Sequence, residues 1–185
     1  MKKIILAIVG LPGAGKTEVT EYIIKKTGWP KVYFGDVTFD EMKKKGLEIN
    51  EANERKTREE IRAKLGMGAY AILNLPKIKK LYKESSVILE SFYSWEEYLE
   101  CKKEFGDNFM VLATYSSPNT RIKRLMNRPV RPLKKEEVIS RDYSQIENLH
   151  QAGPIARADF TVMNEGKKEE MYGQLDKIIE NILKH

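Results

Sequence analysis

The feature that most constrains this chain is the stretch Gly10-Leu11-Pro12-Gly13-Ala14-Gly15-Lys16-Thr17, set directly behind a continuous apolar, β-branched-rich run over residues 3–9. It has the form G-x-x-x-x-G-K-[ST] between an expected strand and an expected amphipathic helix, the context in which such a loop binds phosphate. Gly10, Gly13 and Gly15, with Ala14 between them, let the backbone curl so that successive N–H groups converge on phosphate oxygens. The helix behind adds its positive N-terminal dipole. Lys16 then sets a point charge against the β- and γ-phosphates, and the Thr17 hydroxyl ligates Mg²⁺. The alternative is a purely structural glycine turn.

The rest of the chain alternates short apolar runs with longer 3.6-period stretches, a βαβ rhythm. Strands are expected at residues 3–9, 32–34, 87–90, 109–114 and 160–163, the first reading as a strand buried on both faces of a parallel sheet. Helices are expected at 16–27, 38–45, 51–65, 68–82, 95–104, 120–127, 135–150 and 169–183. Parallel strands need right-handed crossovers, which puts helices on both faces of an α/β sheet. With 185 residues and no repeat or linker, the chain reads as one domain, 1–185. Two crossovers, 35–86 and 115–158, are longer than a sheet requires, as substrate arms and lids are.

Composition narrows the surroundings. The longest apolar run, Ile4 to Val9, is too short for a membrane span or a signal peptide. The single cysteine, Cys101, makes no internal disulfide and reads as packing, so a reducing cytoplasm is the natural compartment. A formal charge of +6 suits polyanionic partners, nucleotides and nucleic acid alike, without choosing between them.

On Gly10 to Thr17, Phe34-Gly35-Asp36, residues 62–67, 105–109 and 117–125, Arg141-Asp142 and residues 162–166, the chain resembles the P-loop nucleotide kinases. Within them it is similar to the nucleoside monophosphate kinase and dephospho-CoA kinase group, and most to an archaeal dephospho-CoA kinase-related family. The resemblance implies a P-loop fold with a five-stranded parallel sheet of order 2-3-1-4-5, an acceptor-binding arm over about residues 36–85 and a short basic lid over about 128–145. It also implies ATP and Mg²⁺ as cofactors and a nucleotide-like small molecule as acceptor.

Asp36, after the second expected strand, would face the phosphate loop across the sheet's carboxyl edge. In the resembling kinases an aspartate here deprotonates or orients the acceptor; the competing role is a helix N-cap. The chain departs from the monophosphate kinases in two places. Their Gly-Asp-x-x-Arg arginine is Phe39, and Glu90-Ser91-Phe92-Tyr93 stands where they carry Asp-Gly-x-Arg or Asp-Gly-Phe-Pro-Arg. Neither Phe nor Tyr can replace an arginine fork on a phosphate. Phe92, Tyr93 and Trp95 would then shape an aromatic acceptor wall, unless they are core, and Phe39 counts with Asp36 and Arg62 among the substrate-binding residues. Arg62, with Arg55 and Arg58 at spacings of 3 and 4, either supplies replacement cations or belongs to a salt-bridged surface. Glu90, at the end of an apolar strand, is where P-loop enzymes place a carboxylate near the Mg²⁺ shell.

From Pro118 to Lys135 there are seven basic residues and no acidic one. Arg121, Arg124 and Arg128 fall at helical spacing, with Arg131 beyond. By resemblance Arg124 stacks near the donor adenine and Arg128 reaches the transferring phosphate, with Arg131 and Arg141 as helpers; the alternative is a solvated or RNA-facing face. Asn164 and Gly166 match residues that hold the donor base, although alone they read as a turn.

Three function classes follow: an Mg·ATP-dependent small-molecule kinase, with a dephospho-CoA kinase-like hydroxyl kinase as one form; a non-kinase NTPase switch on RNA or ribosomes; and a nucleotide-binding regulator without turnover. The first accounts for the most residues. Nucleic acid is a less favoured partner and a membrane is excluded.

Overall fold

The computed structural model describes residues 3–184; Met1, Lys2 and His185, which the 1–185 domain reading includes, lie outside the described residues. In chain order its strands and α-helices are β1 (Ile5–Val9), α1 (Lys16–Thr27), β2 (Lys31–Tyr33), α2 (Asp36–Lys44), α3 (Glu51–Leu65), α4 (Ala69–Tyr82) and β3 (Val87–Glu90). There follow α5 (Trp95–Phe105), β4 (Phe109–Tyr115), α6 (Pro118–Met126), α7 (Lys135–Glu147), α8 (Ala152–Ala156), β5 (Phe160–Met163) and α9 (Lys168–Lys184). The strands form one parallel sheet of order β2-β3-β1-β4-β5, as the resemblance implies. This is the P-loop kinase-like fold.

The central strand shows why an unbroken apolar run was needed. Successive side chains of a strand point to opposite faces. Ile5, Ala7 and Val9 join a cluster with Tyr70 and Ile78 of α4 and Tyr98 and Cys101 of α5. Ile4, Leu6 and Ile8 join the opposite one, with Val19 and Ile23 of α1 and Met171, Leu175 and Ile179 of α9. Helices on both faces leave no polar position in β1, and every residue of it is buried.

All five strands run the same way, so their carboxyl ends share one edge: Gly10, Phe34, Ser91, Ser116 and Asn164 follow them there. Because α2, α3 and α4 all lie between β2 and β3, and α6, α7 and α8 between β4 and β5, the two long crossovers carry the extra helices. α5 starts where a capping box dictates. The Ser94 side chain accepts from the Glu97 N–H at 2.9 Å, and Glu97 accepts in turn from the Ser94 N–H at 3.0 Å.

Three local expectations change. α7 ends at Glu147 rather than at 150, and the chain re-forms as the five-residue α8. α6 spans Pro118–Met126 with Asn127 as its cap, against an expected 120–127, and Arg128 lies outside it and off the helix face expected for Arg121, Arg124 and Arg128. Phe92 is not an acceptor wall. It is fully buried, in edge contact with Phe34 and tilted contact with Phe109 at centroid distances of 5.4 and 5.8 Å.

A buried aromatic truncated to alanine leaves a cavity that costs about 3–5 kcal/mol. Phe92→Ala is therefore expected to lose about that much in urea unfolding, whereas a loss below about 0.5 kcal/mol, typical of surface sites, would return Phe92 to the exposed acceptor wall.

Candidate functional site

The loop from Gly10 to Thr17 leaves β1 in conformations few side chains tolerate. Gly10 has φ +144°, and a Cβ there would overlap the Thr114 carbonyl of the neighbouring β4; Gly15, φ +102°, is the N-cap of α1, and a Cβ there would overlap the Asn164 amide. The loop's carbonyls are tied inward. Ala14 O accepts from Asn164 Nδ2 at 2.8 Å, Pro12 O from Arg121 Nη1 at 3.3 Å, and Gly10 O from Gln151 Nε2 at 3.1 Å. Gly10 O also takes Lys16 Nζ at 2.6 Å, and Leu11 O takes the same ammonium at 3.3 Å. Burial, and next the Arg121 guanidinium, push Lys16 down from 10.5 to about 8, with Asp142 pulling the other way. A polyphosphate seated in the cradle would supply the anion this ammonium lacks. Thr17 sits exposed on the first turn of α1, where its hydroxyl is open to a hard cation.

The basic stripe divides by function. Arg121 is buried, with Nε on Ser116 O at 3.1 Å and Nη1 on Asp142 Oδ1 at 2.6 Å, which ties α6 to α7. Arg124 reaches Ser116 Oγ at 2.8 Å and Asn164 Oδ1 at 3.3 Å, close behind the loop. Arg128 instead donates from Nε to the Arg131 carbonyl, in the segment between α6 and α7. The three therefore do not share one outward helix face. Asn164 braces the loop, and Gly166 packs where a Cβ would overlap the Glu170 carboxylate.

Beside the loop, a cavity of about 280 Å³ opens at the same carboxyl edge. Its walls include Gly35, Thr38 and Phe39 of the β2–α2 corner, Glu54, Arg58 and Arg62 of α3, and Tyr70 of α4. Ser91, Tyr93 and Glu97 follow β3, and Gln145 belongs to α7. Because β3 pairs directly with β1, Ser91 and Gly10 leave adjacent strands, and the cavity and the phosphate loop are neighbours. Ser91 adopts φ +61° at a position where the resembling kinases carry glycine.

Of the residues expected on the acceptor side, Phe39, Arg62 and Tyr93 line this cavity. Asp36 does not. It is the first residue of α2, its carboxylate held by Lys77 at 2.8 Å, and it makes no cap because Gly35 occupies that position. Glu90 is likewise engaged, with Lys31 at 2.7 Å. Arg55 pairs with Glu59 on the surface, whereas Arg58 is bound by Glu51 and Glu54, each at 3.2 Å. Among the described residues no cluster of three His, Cys, Asp or Glu side chains is arranged to hold a metal.

Glu97, Gln145 and Gln151 carry no sequence signal of a site, and Arg121, counted in the basic stripe, is buried instead of exposed. Glu97 had only the signal of a helix start, the Ser94-x-x-Glu97 capping box, and nothing local showed that this start would be buried. Removal from solvent raises Glu97 from 4.5 to about 7, against two backbone N–H bonds, from Tyr93 at 2.8 Å and Ser94 at 3.0 Å, that favour the charged form.

Residues 9–140 match the family model described as AAA domain. The chain is 30% identical over 183 residues to a UPF0200 protein of Thermococcus kodakarensis, covering 97% of this chain and 98% of that one. It is 35% identical to a UPF0200 protein of Methanocaldococcus jannaschii, covering 97% and 91%. Among solved structures it resembles TT1252 from Thermus thermophilus, with TM-score 0.70, 19% identity and 99% of both chains covered. A shikimate kinase from Bacteroides thetaiotaomicron superposes with TM-score 0.58 at 13% identity, over 97% of this chain and 98% of that one.

Two measurements follow from the shifted groups. With Lys16 held down at about 8, part of it is neutral in the free protein near that pH, so nucleotide binding at pH 8 is expected to take up a fraction of a proton, and less at pH 6.5. Calorimetry in buffers of different ionisation enthalpy reads this, and equal uptake in Lys16→Met would contradict the assignment. Glu97, with its folded pKa raised, binds its proton more tightly folded than unfolded, so its contribution to stability falls as pH rises from about 4.5 to about 7 and then levels. Glu97→Gln should gain on the wild type by on the order of 3 kcal/mol between pH 4.5 and 8 in urea unfolding, and parallel pH profiles would rule this out.

Proposed function

The chain belongs to the UPF0200 family and carries its AAA domain, and on that footing we propose that it is an Mg·ATP-dependent phosphotransferase acting on a small molecule. The observation that carries this reading is the adjacency of two different sites on one sheet edge: a glycine cradle with a cation in it, and a separate cavity opening beside it. A switch or a mere nucleotide binder needs the first and has no use for the second.

In this reading the amides of Gly13 and Gly15 and the Lys16 ammonium hold the nucleotide's phosphates, and the Ala14 N–H joins them only on leaving the Leu11 carbonyl, to which it donates at 3.1 Å. Gly10 starts the turn that aims them. Lys16 leaves the Gly10 and Leu11 carbonyls for the phosphates, while Gln151 keeps its bond to Gly10. Mg²⁺, when bound, neutralises charge on the phosphates; Thr17 would hold it directly, with Glu90 as the neighbouring carboxylate. Arg124, Asn164 and Gly166 border the place for the donor base. Arg128, in the 128–145 lid, is free to approach the transferring group only once its contact with the Arg131 carbonyl opens. Arginines that close on this group are worth 10³ to 10⁵ in rate in other phosphotransferases.

On the acceptor side, within the 36–85 arm, Phe39 and Tyr93 give the cavity aromatic walls and Arg62 its cation. Asp36 would act as proton acceptor only after exchanging Lys77 for substrate. No arginine pair stands ready for an acceptor phosphate, because Arg58 is already bound by two glutamates. Among nucleotide-like acceptors this favours a hydroxyl over the phosphate of a nucleoside monophosphate. The polyanion-reading alternative loses support, since Arg121 is buried in an ion pair and Arg124 is engaged behind the loop. A cytoplasmic enzyme fits a chain whose described residues include no helix long and apolar enough to cross a membrane.

The test is γ-phosphoryl transfer from labelled ATP with Mg²⁺ to a panel of nucleosides, nucleoside monophosphates, dephospho-CoA and small hydroxy acids. Labelled acceptor is expected, reduced at least 10³-fold in Lys16→Ala, in keeping with a group that acts on the phosphates themselves. Release of free phosphate alone, stimulated by RNA, would overturn the reading.

A further inference from the structure

The cavity beside the phosphate loop is unbalanced in both hydrogen bonds and charge. Among the described residues Arg62 Nε is buried without a partner, and so is Gln145 Oε1, which comes from a different helix. Buried polar atoms are nearly always paired, and an unpaired one costs about 1–3 kcal/mol. One of these atoms only donates and the other only accepts. A ligand that satisfied both would bring an acceptor to Arg62 and a donor to Gln145.

The charges restrict it further. Arg58 is neutralised by Glu51 and Glu54, and Glu54 is itself on the cavity wall. Arg62 makes no ion pair among the described residues; its guanidinium lies 5.2 Å from the Tyr70 ring centroid. Across the cavity Glu97 spends Oε2 on two backbone N–H groups. Arg62, the guanidinium on this wall with no ion pair among the described residues, suits one negative charge. A phosphomonoester dianion would meet the Glu54 carboxylate, and above about pH 7 that of Glu97 as well, with Arg62 alone to offset them. Size points the same way, for about 280 Å³ lies just below the usual range of about 300–1,000 Å³ for drug-sized ligands. Tyr70 and Thr38, joined hydroxyl to hydroxyl at 2.7 Å, add a further polar pair on the wall.

From these groups we infer that the cavity binds a compact hydroxylated carboxylate, its single negative charge on Arg62 and a hydroxyl on Gln145 and Glu97. The assignment deepens the phosphotransferase reading and rests on it for the ligand's role as acceptor; binding itself requires only the cavity.

Calorimetric titration of the full chain with shikimate, quinate, D-gluconate and D-glycerate, against cyclohexanecarboxylate, inorganic phosphate and AMP, tests it. At least one hydroxy acid is expected to bind at least tenfold more tightly than cyclohexanecarboxylate, inorganic phosphate or AMP. Arg62→Leu should abolish that binding and Arg62→Lys restore part of it. Gln145→Leu should weaken the hydroxy acid at least tenfold while leaving cyclohexanecarboxylate unchanged, a split that general loss of structure does not produce. If Arg62→Leu does not fold, Gln145→Leu and Arg62→Lys carry the test. Tighter binding of AMP or phosphate, no hydroxy acid binding, or binding indifferent to Gln145→Leu would each overturn the inference. Hydroxy acid binding without labelled transfer would instead keep the site and refute the phosphotransferase.

Discussion

The Gly10 carbonyl accepts two cationic or amide donors at once, Lys16 Nζ and Gln151 Nε2, and the site depends on that junction. A loop that presents its N–H groups to a phosphate must turn its carbonyls the other way, and buried carbonyls need donors. Here the donors come from distant parts of the chain: Gln151 before α8, Asn164 after β5 and Arg121 on α6. The cradle is thus held by the far end of the molecule, and its left-handed glycines are the local condition that lets those donors in. Lys16 is the donor in the set that a phosphate would recruit, because it is cationic and poorly solvated where it rests and, unlike Arg121, is in no ion pair among the described residues.

This arrangement also explains which parts were legible in the sequence. β1, the glycine loop and α1 form a contiguous unit whose periodicity and chemistry agree, and strand order followed from resemblance on motifs spread along the chain. Phe39 stood out as the position of the missing arginine, Arg62 by its helical spacing from Arg58, and Tyr93 by following a strand end, and all three line the cavity. Phe92 was not separable from Tyr93 by pattern: neighbours on an extended segment point opposite ways, and only the packing of Phe34 and Phe109 decides which is core.

The basic stripe shows the opposite limit. Its spacing suggested one face, but charge is not exposure. Arg121 is held by an acidic residue from the next helix, Asp142, while Arg128 falls past the end of α6. Gln145 and Gln151 carry no motif at all, since an uncharged amide gains meaning only from the carbonyl or cavity it meets in three dimensions. Glu97 lies between these cases, its capping position readable and its burial not. The cost of burying that carboxylate sits in the cavity wall, where α3, α5 and α7 converge, and is the kind of local destabilisation that binding sites retain.

The central claim is that the loop is already braced for phosphate and that binding moves Lys16 rather than the backbone. A crystal structure of the protein with Mg²⁺ and a non-hydrolysable ATP analogue tests it most directly. The account predicts an unchanged loop from Gly10 to Thr17, with Gln151, Asn164 and Arg121 still on its carbonyls and Lys16 Nζ moved from the Gly10 carbonyl onto the phosphates. Phosphates bound elsewhere, or a loop that refolds and sheds those three donors, would contradict it.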